Sequence, residues 1–181
     1  METETTGEIL GFGSHYACDI MVRNRQKILL IREKLTQFTF GRILEKETSD
    51  EILNALIQLI ADFIPEYGTV IRTDNAPQFQ KLSSLNDDLE FWLKKFNIKL
   101  ELGATFNSNK NPIAENMVKE VHKEINKAGF LNDQINDIQL MVVIKNINSR
   151  VRDRGLTAKE IFCMRDQATN KNIIQKDENL Y

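Results

Sequence analysis

The chain has 181 residues, of which 41% are hydrophobic and 28% are charged, and its formal net charge is −2. This length fits one domain with a sizeable core, and the charge excludes a protein that coats nucleic acid by bulk positive charge, although it allows a local basic surface. No apolar run approaches the ~20 residues of a membrane-spanning helix, and the polar start, METETTGE, lacks a secretory signal pattern, so we expect an intracellular protein without a membrane partner.

The first part of the chain predicts a flexible arm followed by a sheet. Residues 1–13 are polar and contain glycine, which favours a poorly ordered arm. Three strand-forming stretches with short connections then indicate an antiparallel meander; they are Tyr16–Val22, Ile28–Ile31 and Phe38–Leu44.

From residue 48 onward, helical and strand patterns alternate. Thr48 and Glu51 match a capping box, and the helix that they open ends before Gly68. A strand through Val70 and Ile71 then ends at Asp74, where turn residues begin. Further helices are expected at 85–96, 111–128, 133–150 and 157–164, with a strand at 98–102. This order predicts an α/β domain with a mixed sheet over residues 14–165.

The polar tail, residues 166–181, is expected to be loosely held. Its last four residues, ENLY, resemble the start of a protease-site tag, and segments of that kind do not belong to a fold.

The cysteines and histidines give no zinc or disulfide pattern. Cys18 and Cys163 are isolated, and His15 and His122 complete no Cys/His spacing. We therefore expect the cysteines to be ordinary core or strand residues.

Three acids stand at places where carboxylates can do chemistry. Asp19 lies within an apolar strand, where an unpaired carboxylate is costly and needs a partner, either a cation or a neighbour such as Arg23 or Lys27. Asp74 ends a strand, where open α/β sheets keep their sites, although it also suits a turn. Glu115 begins a helix, where it could simply interact with the helix dipole.

The helix that begins near Asn111 has two unlike faces. Its aliphatic positions share one side, whereas Glu115, Lys119, His122 and Asn126 share the other. Glu115 is therefore placed to face outwards beside the loop at 103–110, and Lys119 could bind a phosphate or pair with Glu115 four residues earlier. Collected carboxylates repel unless a cation compensates, and such oxygen ligands suit Mg²⁺ or Mn²⁺. The residues alone thus indicate metal-dependent phosphodiester chemistry.

Across roughly residues 14–165 the sequence resembles the catalytic cores of retroviral and long-terminal-repeat retrotransposon integrases, within the RNase H-like DDE polynucleotidyl transferases. The stretches that carry the resemblance are YACDIMV around Asp19, VIRTDNAPQF around Asp74, NPIAENMVKEVHKEI around Glu115 and GLTAKEIF near the end. The resemblance implies a mixed five-stranded RNase H-like sheet, with three antiparallel strands then two further strands, flanked by helices.

The same resemblance implies the chemistry of the site. Asp19 would share two Mg²⁺ or Mn²⁺ ions, with Asp74 and Glu115 each completing one. The chain would then be a metal-dependent polynucleotidyl transferase and endonuclease that trims element DNA ends and joins them to target DNA, in the nucleus or a retroelement nucleoprotein particle. The residues expected to bind DNA are Lys119, Asn75, Asn107, Ser108, His122 and Lys123. A homodimer through the helices at 49–64 and 133–150 is also implied.

Two departures from the family pattern are visible. The 40 residues between Asp74 and Glu115 make a longer gap than is usual, and Ala76 stands where glycine usually follows Asp-Asn. Nothing here resembles the zinc-binding amino-terminal or basic carboxy-terminal domain of such enzymes. A domesticated DNA- or protein-binding module without catalysis is therefore the alternative. A basic cluster, Arg150, Arg152 and Arg154, could contact DNA or only solvate a helix end.

Overall fold

A computed structural model of the chain describes residues 11–84, 87–103, 111–130, 133–152 and 155–163. For residues 87–89 it describes the backbone only. The expected arm at 1–10, most of the loop after Gly103 and the tail from 164 lie outside the described residues. None of the helices within the described ranges is long and apolar enough to cross a membrane.

Five strands form one mixed sheet, as the sequence predicted. Their order across the sheet is β3-β2-β1-β4-β5. β1 pairs antiparallel with β2, and β2 with β3, whereas β4 is parallel to both β1 and β5. The strands are β1 His15–Arg23, β2 Gln26–Glu33, β3 Thr39–Leu44, β4 Thr69–Thr73 and β5 Ile98–Leu102.

The hairpin between β1 and β2 shows why this sheet begins as a meander. Arg23 pairs with Gln26, which leaves a two-residue turn, and Asn24 and Arg25 have φ values of 49° and 62°. Two left-handed residues are the signature of a turn whose twist matches the flanking strands.

Six helices are present in the described ranges. They are α1 Ser49–Ile60, α2 Pro77–Ser83, α3 Asp87–Lys95, α4 Pro112–Lys127, α5 Asp137–Asn148 and α6 Ala158–Cys163, and a 3₁₀ turn, Ala61–Phe63, follows α1. The short helix α2 was not predicted, because Asn75-Ala-Pro was interpreted only as the end of a strand. Pro77 instead occupies the first turn of α2, where its missing N–H costs nothing.

The helix starts were predicted with mixed success. The Thr48 hydroxyl accepts from the Glu51 N–H as expected, but the Glu51 carboxylate accepts from the N–H groups of Glu45 and Lys46, so the expected capping box is only half formed. α5 begins at Asp137 rather than Asp133, because the Asn136 side chain and Gln139 form a capping box there.

The sheet lies between two hydrophobic layers. On β1 the side chains alternate, so Tyr16 and Cys18 pack with α1, α2 and α3, whereas Ala17 and Met21 pack with α4 and α5. Neighbouring β2 alternates in the same way. The sandwich of helices, sheet and helices places α4 on the face of β1 that carries the odd-numbered residues, and this face includes Asp19.

Candidate active site

Asp19 lies in the middle of β1, on the face that α4 covers. β1 is held on one side by β2, where Asp19 pairs with Leu30, and on the other by β4. The side chain is half-buried, and its Oδ1 accepts from the N–H of Ile20 at 2.7 Å. Neither alternative ion-pair partner is used, because Lys27 pairs with Glu47 and Arg23 donates to the carbonyl oxygens of Phe130 and Asp133.

Asp74 directly follows β4 and lies beside Asp19. The parallel register of β1 and β4 ends at the pair Ala17 and Arg72. Two residues further along each strand come Asp19 and Asp74, so the register brings them to the same level of the sheet. Asp74 is exposed, and its Oδ1 accepts from the Ala76 N–H at 3.2 Å.

Ala76 does not need the backbone freedom of glycine. Its φ is −66° and its ψ is 149°, an extended conformation that any L residue adopts. The departure from the family pattern at this position is therefore compatible with the observed turn. Asn75, the neighbouring DNA-binding candidate, is half-buried and its carbonyl and side-chain oxygens accept from Gln80 at 2.8 and 3.0 Å.

Glu115 reaches the same region because Asn111 ties α4 to the end of β4. The Asn111 side-chain oxygen caps α4 by accepting from the Ala114 N–H, and its amide donates to the Arg72 carbonyl oxygen, both at 3.4 Å. Glu115 follows in the first turn and is half-buried. The sequence predicted Asn111 as a cap, but its bond to β4 links residues 39 positions apart and has no local signal.

The electrostatics of Asp19 show that the three acids influence one another. Burial raises the pKa of Asp19, and the charges of Asp74 and Glu115 raise it further, while the hydrogen bond from Ile20 opposes them. Burial also raises the pKa of the adjacent Cys18 thiol, with contributions from Asp19 and Asp74. Three carboxylates from three elements therefore create a local excess of negative charge.

This excess is not neutralised by any cation within the described ranges. No ion pair there involves Asp19, Asp74 or Glu115, and Lys119 does not pair with Glu115. In the same ranges, no three His, Cys, Asp or Glu side chains are close enough to hold one metal ion together. The donor set is nevertheless of the hard-oxygen type that Mg²⁺ and Mn²⁺ prefer.

The other DNA-binding candidates fall into two groups. Lys119 and Lys123 are exposed and line a cavity of about 420 Å³ between α4 and the end of β2. His122, on the same helix, is half-buried and is not among the residues that line this cavity. Asn107 and Ser108 lie outside the described residues, as does Arg154. A separate cavity of about 610 Å³, between α1 and α2, is lined by none of the three acids.

The remaining arginines of the basic cluster have structural partners. Arg150 pairs with Glu124, and Arg152 pairs with Glu120. Glu120 also receives the guanidinium of Arg32, a residue that the sequence gave no reason to single out. Both carboxylates are on α4, so these pairs attach α4 to β2 and to the chain after α5.

No protein-family model and no curated protein sequence matches the chain. Among solved structures, the catalytic core domain of BIV integrase matches with a TM-score of 0.65 and 18% identity, over 83% of this chain and 94% of that one. A chain of the simian T-cell lymphotropic virus intasome, in complex with PP2A regulatory subunit B56 gamma, matches with a TM-score of 0.67 and 16% identity. That match covers 82% of this chain and 53% of the other, so this chain spans about half of that longer one. The chain therefore has the fold of retroviral integrase catalytic cores, as the sequence motifs predicted.

Proposed function

We propose that the chain is the catalytic core of a retroelement integrase, a divalent-metal-dependent polynucleotidyl transferase that trims DNA ends and joins them to target DNA. The observation that carries the proposal is the convergence of Asp19, Asp74 and Glu115. These acids come from a strand, a strand end and a helix start, and the charges of the last two raise the pKa of Asp19. Their fold is shared with integrase cores.

We propose that these residues hold two divalent ions. Asp19 with Asp74 would hold one ion and Asp19 with Glu115 the other, so each ion needs two of these carboxylates rather than a group of three. When bound, such ions supply Lewis-acid activation of the attacking oxygen and stabilisation of the leaving oxygen. Asp19 Oδ1 accepts one hydrogen bond, from the Ile20 N–H, and an ionised carboxylate has about four lone-pair sites, so both of its oxygens keep capacity for a metal ion.

The protein's own contribution is to position these carboxylates. Asp19 is held by its pairing with Leu30 of β2, and β4 pairs with β1 just before it, as far as Ala17. Asp74 is held by its hydrogen bond from the Ala76 N–H. The Asn111 side chain links the start of α4 to β4 through its hydrogen bond to the Arg72 carbonyl oxygen. A site built on a central strand and a capped helix keeps its ligands in place before substrate arrives.

DNA is the proposed substrate, held through its phosphates. Lys119 and Lys123 follow Glu115 on α4 by four and eight residues, so they lie towards the same side of the helix. Both side chains are exposed. His122 and Asn75 are further candidates for backbone contact. With such a substrate, the place of action would be the nucleus or a retroelement nucleoprotein particle.

We also propose a homodimer through α5, with α1 alongside. α5 buries one apolar face, yet its other side exposes Ile138 by 73%, Met141 by 70% and Val142 by 44%. These residues are spaced as one helical stripe. An apolar stripe of this kind on a surface helix marks an interface with another chain.

A binding module without catalysis is the second candidate. Its support is that the exposed lysines of α4, Lys119 and Lys123, can hold DNA phosphates without any metal ion. The two functions are separated by a disintegration assay with Mn²⁺ on branched DNA. The integrase proposal requires turnover by the wild type and loss of turnover in Asp74→Asn, whereas a binding module gives neither turnover nor a difference.

A further inference from the structure

An open groove lies between α4 and the end of β2. It is the cavity of about 420 Å³ described above, and we call it the α4 groove. Its floor includes Arg32 and Glu120, and its walls include Lys34 from the chain just after β2 and Asn116, Lys119 and Lys123 from α4. None of the three acids lines the groove, but Asn116 follows Glu115 on α4, so the groove begins at the same turn of that helix.

The groove carries a positive charge that the protein itself does not neutralise. Lys34, Lys119 and Lys123 are exposed, and none belongs to an ion pair of the described ranges. The floor acid, Glu120, is fully engaged, because Arg32 and Arg152 each donate twice to it at 3.1–3.3 Å. This trio has one carboxylate and two guanidinium groups, so the floor adds to the positive charge.

The shape of the groove suits an extended polyanion better than a single small anion. From Asn116 to Lys123 the groove follows α4 for about 10 Å at the helical rise per residue. A strand of duplex DNA carries one phosphate per ~3.4 Å of axis, so this length corresponds to about three phosphates. Exposed lysines are flexible point charges, so they can contact successive phosphates of a DNA backbone without forming a closed site around a single phosphate.

We infer that Lys34 is a positioning residue for the phosphates of the proposed DNA substrate, on the side of the α4 groove opposite Lys119 and Lys123. This inference rests on the proposed function for the identity of the polyanion. Lys34 directly follows β2, the strand that pairs with β1, so it lines the groove from the side of the sheet. The DNA would thereby be held between the sheet and α4.

The test is the salt dependence of DNA binding by the full 181-residue chain. Fluorescence anisotropy with labelled branched DNA is recorded in EDTA, between about 50 and 200 mM salt. Losing one phosphate contact lowers the slope of log K against log salt by about 0.9 for duplex DNA. We expect this reduction in Lys34→Ala, restoration in Lys34→Arg, and a wild-type slope in Lys99→Ala. Lys99 is an exposed control because it pairs with Val70, at the end of β4 away from Asp74.

Each outcome decides the inference. A wild-type slope in Lys34→Ala, with an unchanged melting temperature, overturns it, and so does an equal loss in Lys99→Ala. Turnover with Mn²⁺ is measured separately on the wild type. If only the inference about Lys34 is wrong, the wild type still turns over branched DNA. If the proposed function is wrong, the wild type shows no turnover, whatever the salt slope of Lys34→Ala. Absence of salt-dependent binding by the wild type overturns both.

Discussion

Replacing Glu120 by glutamine tests how α4 is fixed to the sheet. The Arg32 guanidinium is only 2% exposed, and the Glu120 carboxylate is its charged partner, while the Thr39 hydroxyl accepts from Arg32 Nε at 3.0 Å. In Glu120→Gln, one neutral carbonyl oxygen replaces two charged acceptors, and Arg32 keeps its charge although its side chain is almost fully buried. Breaking a buried pair in this way costs about 3 kcal/mol. The Arg152 side chain is 21% exposed and can be rehydrated in the variant, so the loss of its pair with Glu120 adds little to the loss of stability.

The loss is measured by thermal and denaturant unfolding at neutral pH. About 3 kcal/mol corresponds to a fall in melting temperature of about 6–12 °C for a domain of this size. Glu90→Gln is the matched control, because the Glu90–Lys94 pair is on the surface, with Lys94 74% exposed, and we expect less than about 0.5 kcal/mol there.

The effect has a defined dependence on pH. Burial raises the pKa of Glu120, but the hydrogen bonds and charges of Arg32 and Arg152 outweigh burial and hold that pKa below its ordinary value. A lowered pKa in the folded state stabilises the protein above the unfolded pKa, and this stabilisation is lost as the pH falls through the folded pKa. The difference between Glu120→Gln and the wild type should therefore shrink below about pH 4. A loss under about 0.5 kcal/mol at neutral pH, or one that grows in acid, would refute the reasoning.

Three further predictions concern the acidic site and the surface of α5. Asp19→Asn should raise the melting temperature of the metal-free protein at neutral pH, because the raised pKa of Asp19 means that the fold disfavours the ionised carboxylate. This gain should vanish at acidic pH, where the wild-type Asp19 is protonated. A lower melting temperature in Asp19→Asn at neutral pH would contradict the prediction. Millimolar Mg²⁺ should stabilise the wild type and not Asp19→Asn, because only the wild type has the shared ligand; equal shifts would contradict the metal assignment. Met141→Asp should give a monomer by light scattering while Phe91→Asp on α3 leaves the mass unchanged, and an unchanged mass in both would reject the α5 interface.

The fold was predictable because its signals are local. The alternation on β1 and the cap at Asn111 act over a few positions, and each favours one element type. The short helix at Pro77 was missed because Asn-Ala-Pro suits both a turn and a helix start. The start of α5 was misplaced because Asn136 and Asp133 are both acceptable caps.

The candidate site was predictable only in part. Asp19 could be named as an acid within an apolar strand, Asp74 as an acid at a strand end and Glu115 as an acid at a helix start. The proximity of Asp19 and Asp74 follows from the register of β1 and β4, whereas that of Glu115 depends on the bond between Asn111 and Arg72. The groove could not be foreseen, since Lys34 and Lys119 meet through tertiary structure. The same is true of Arg32 and Glu120, which are 88 positions apart and have no shared pattern in the sequence.

The most direct test of the proposed function is turnover of branched DNA with Mn²⁺ by the wild type and by Asp74→Asn, with Lys99→Ala as a control. Asparagine can still accept from the Ala76 N–H, so Asp74→Asn should fold normally while losing one charged ligand. We predict turnover in the wild type and in Lys99→Ala, and turnover at background level in Asp74→Asn. Equal turnover in the wild type and Asp74→Asn would contradict catalysis by the three carboxylates.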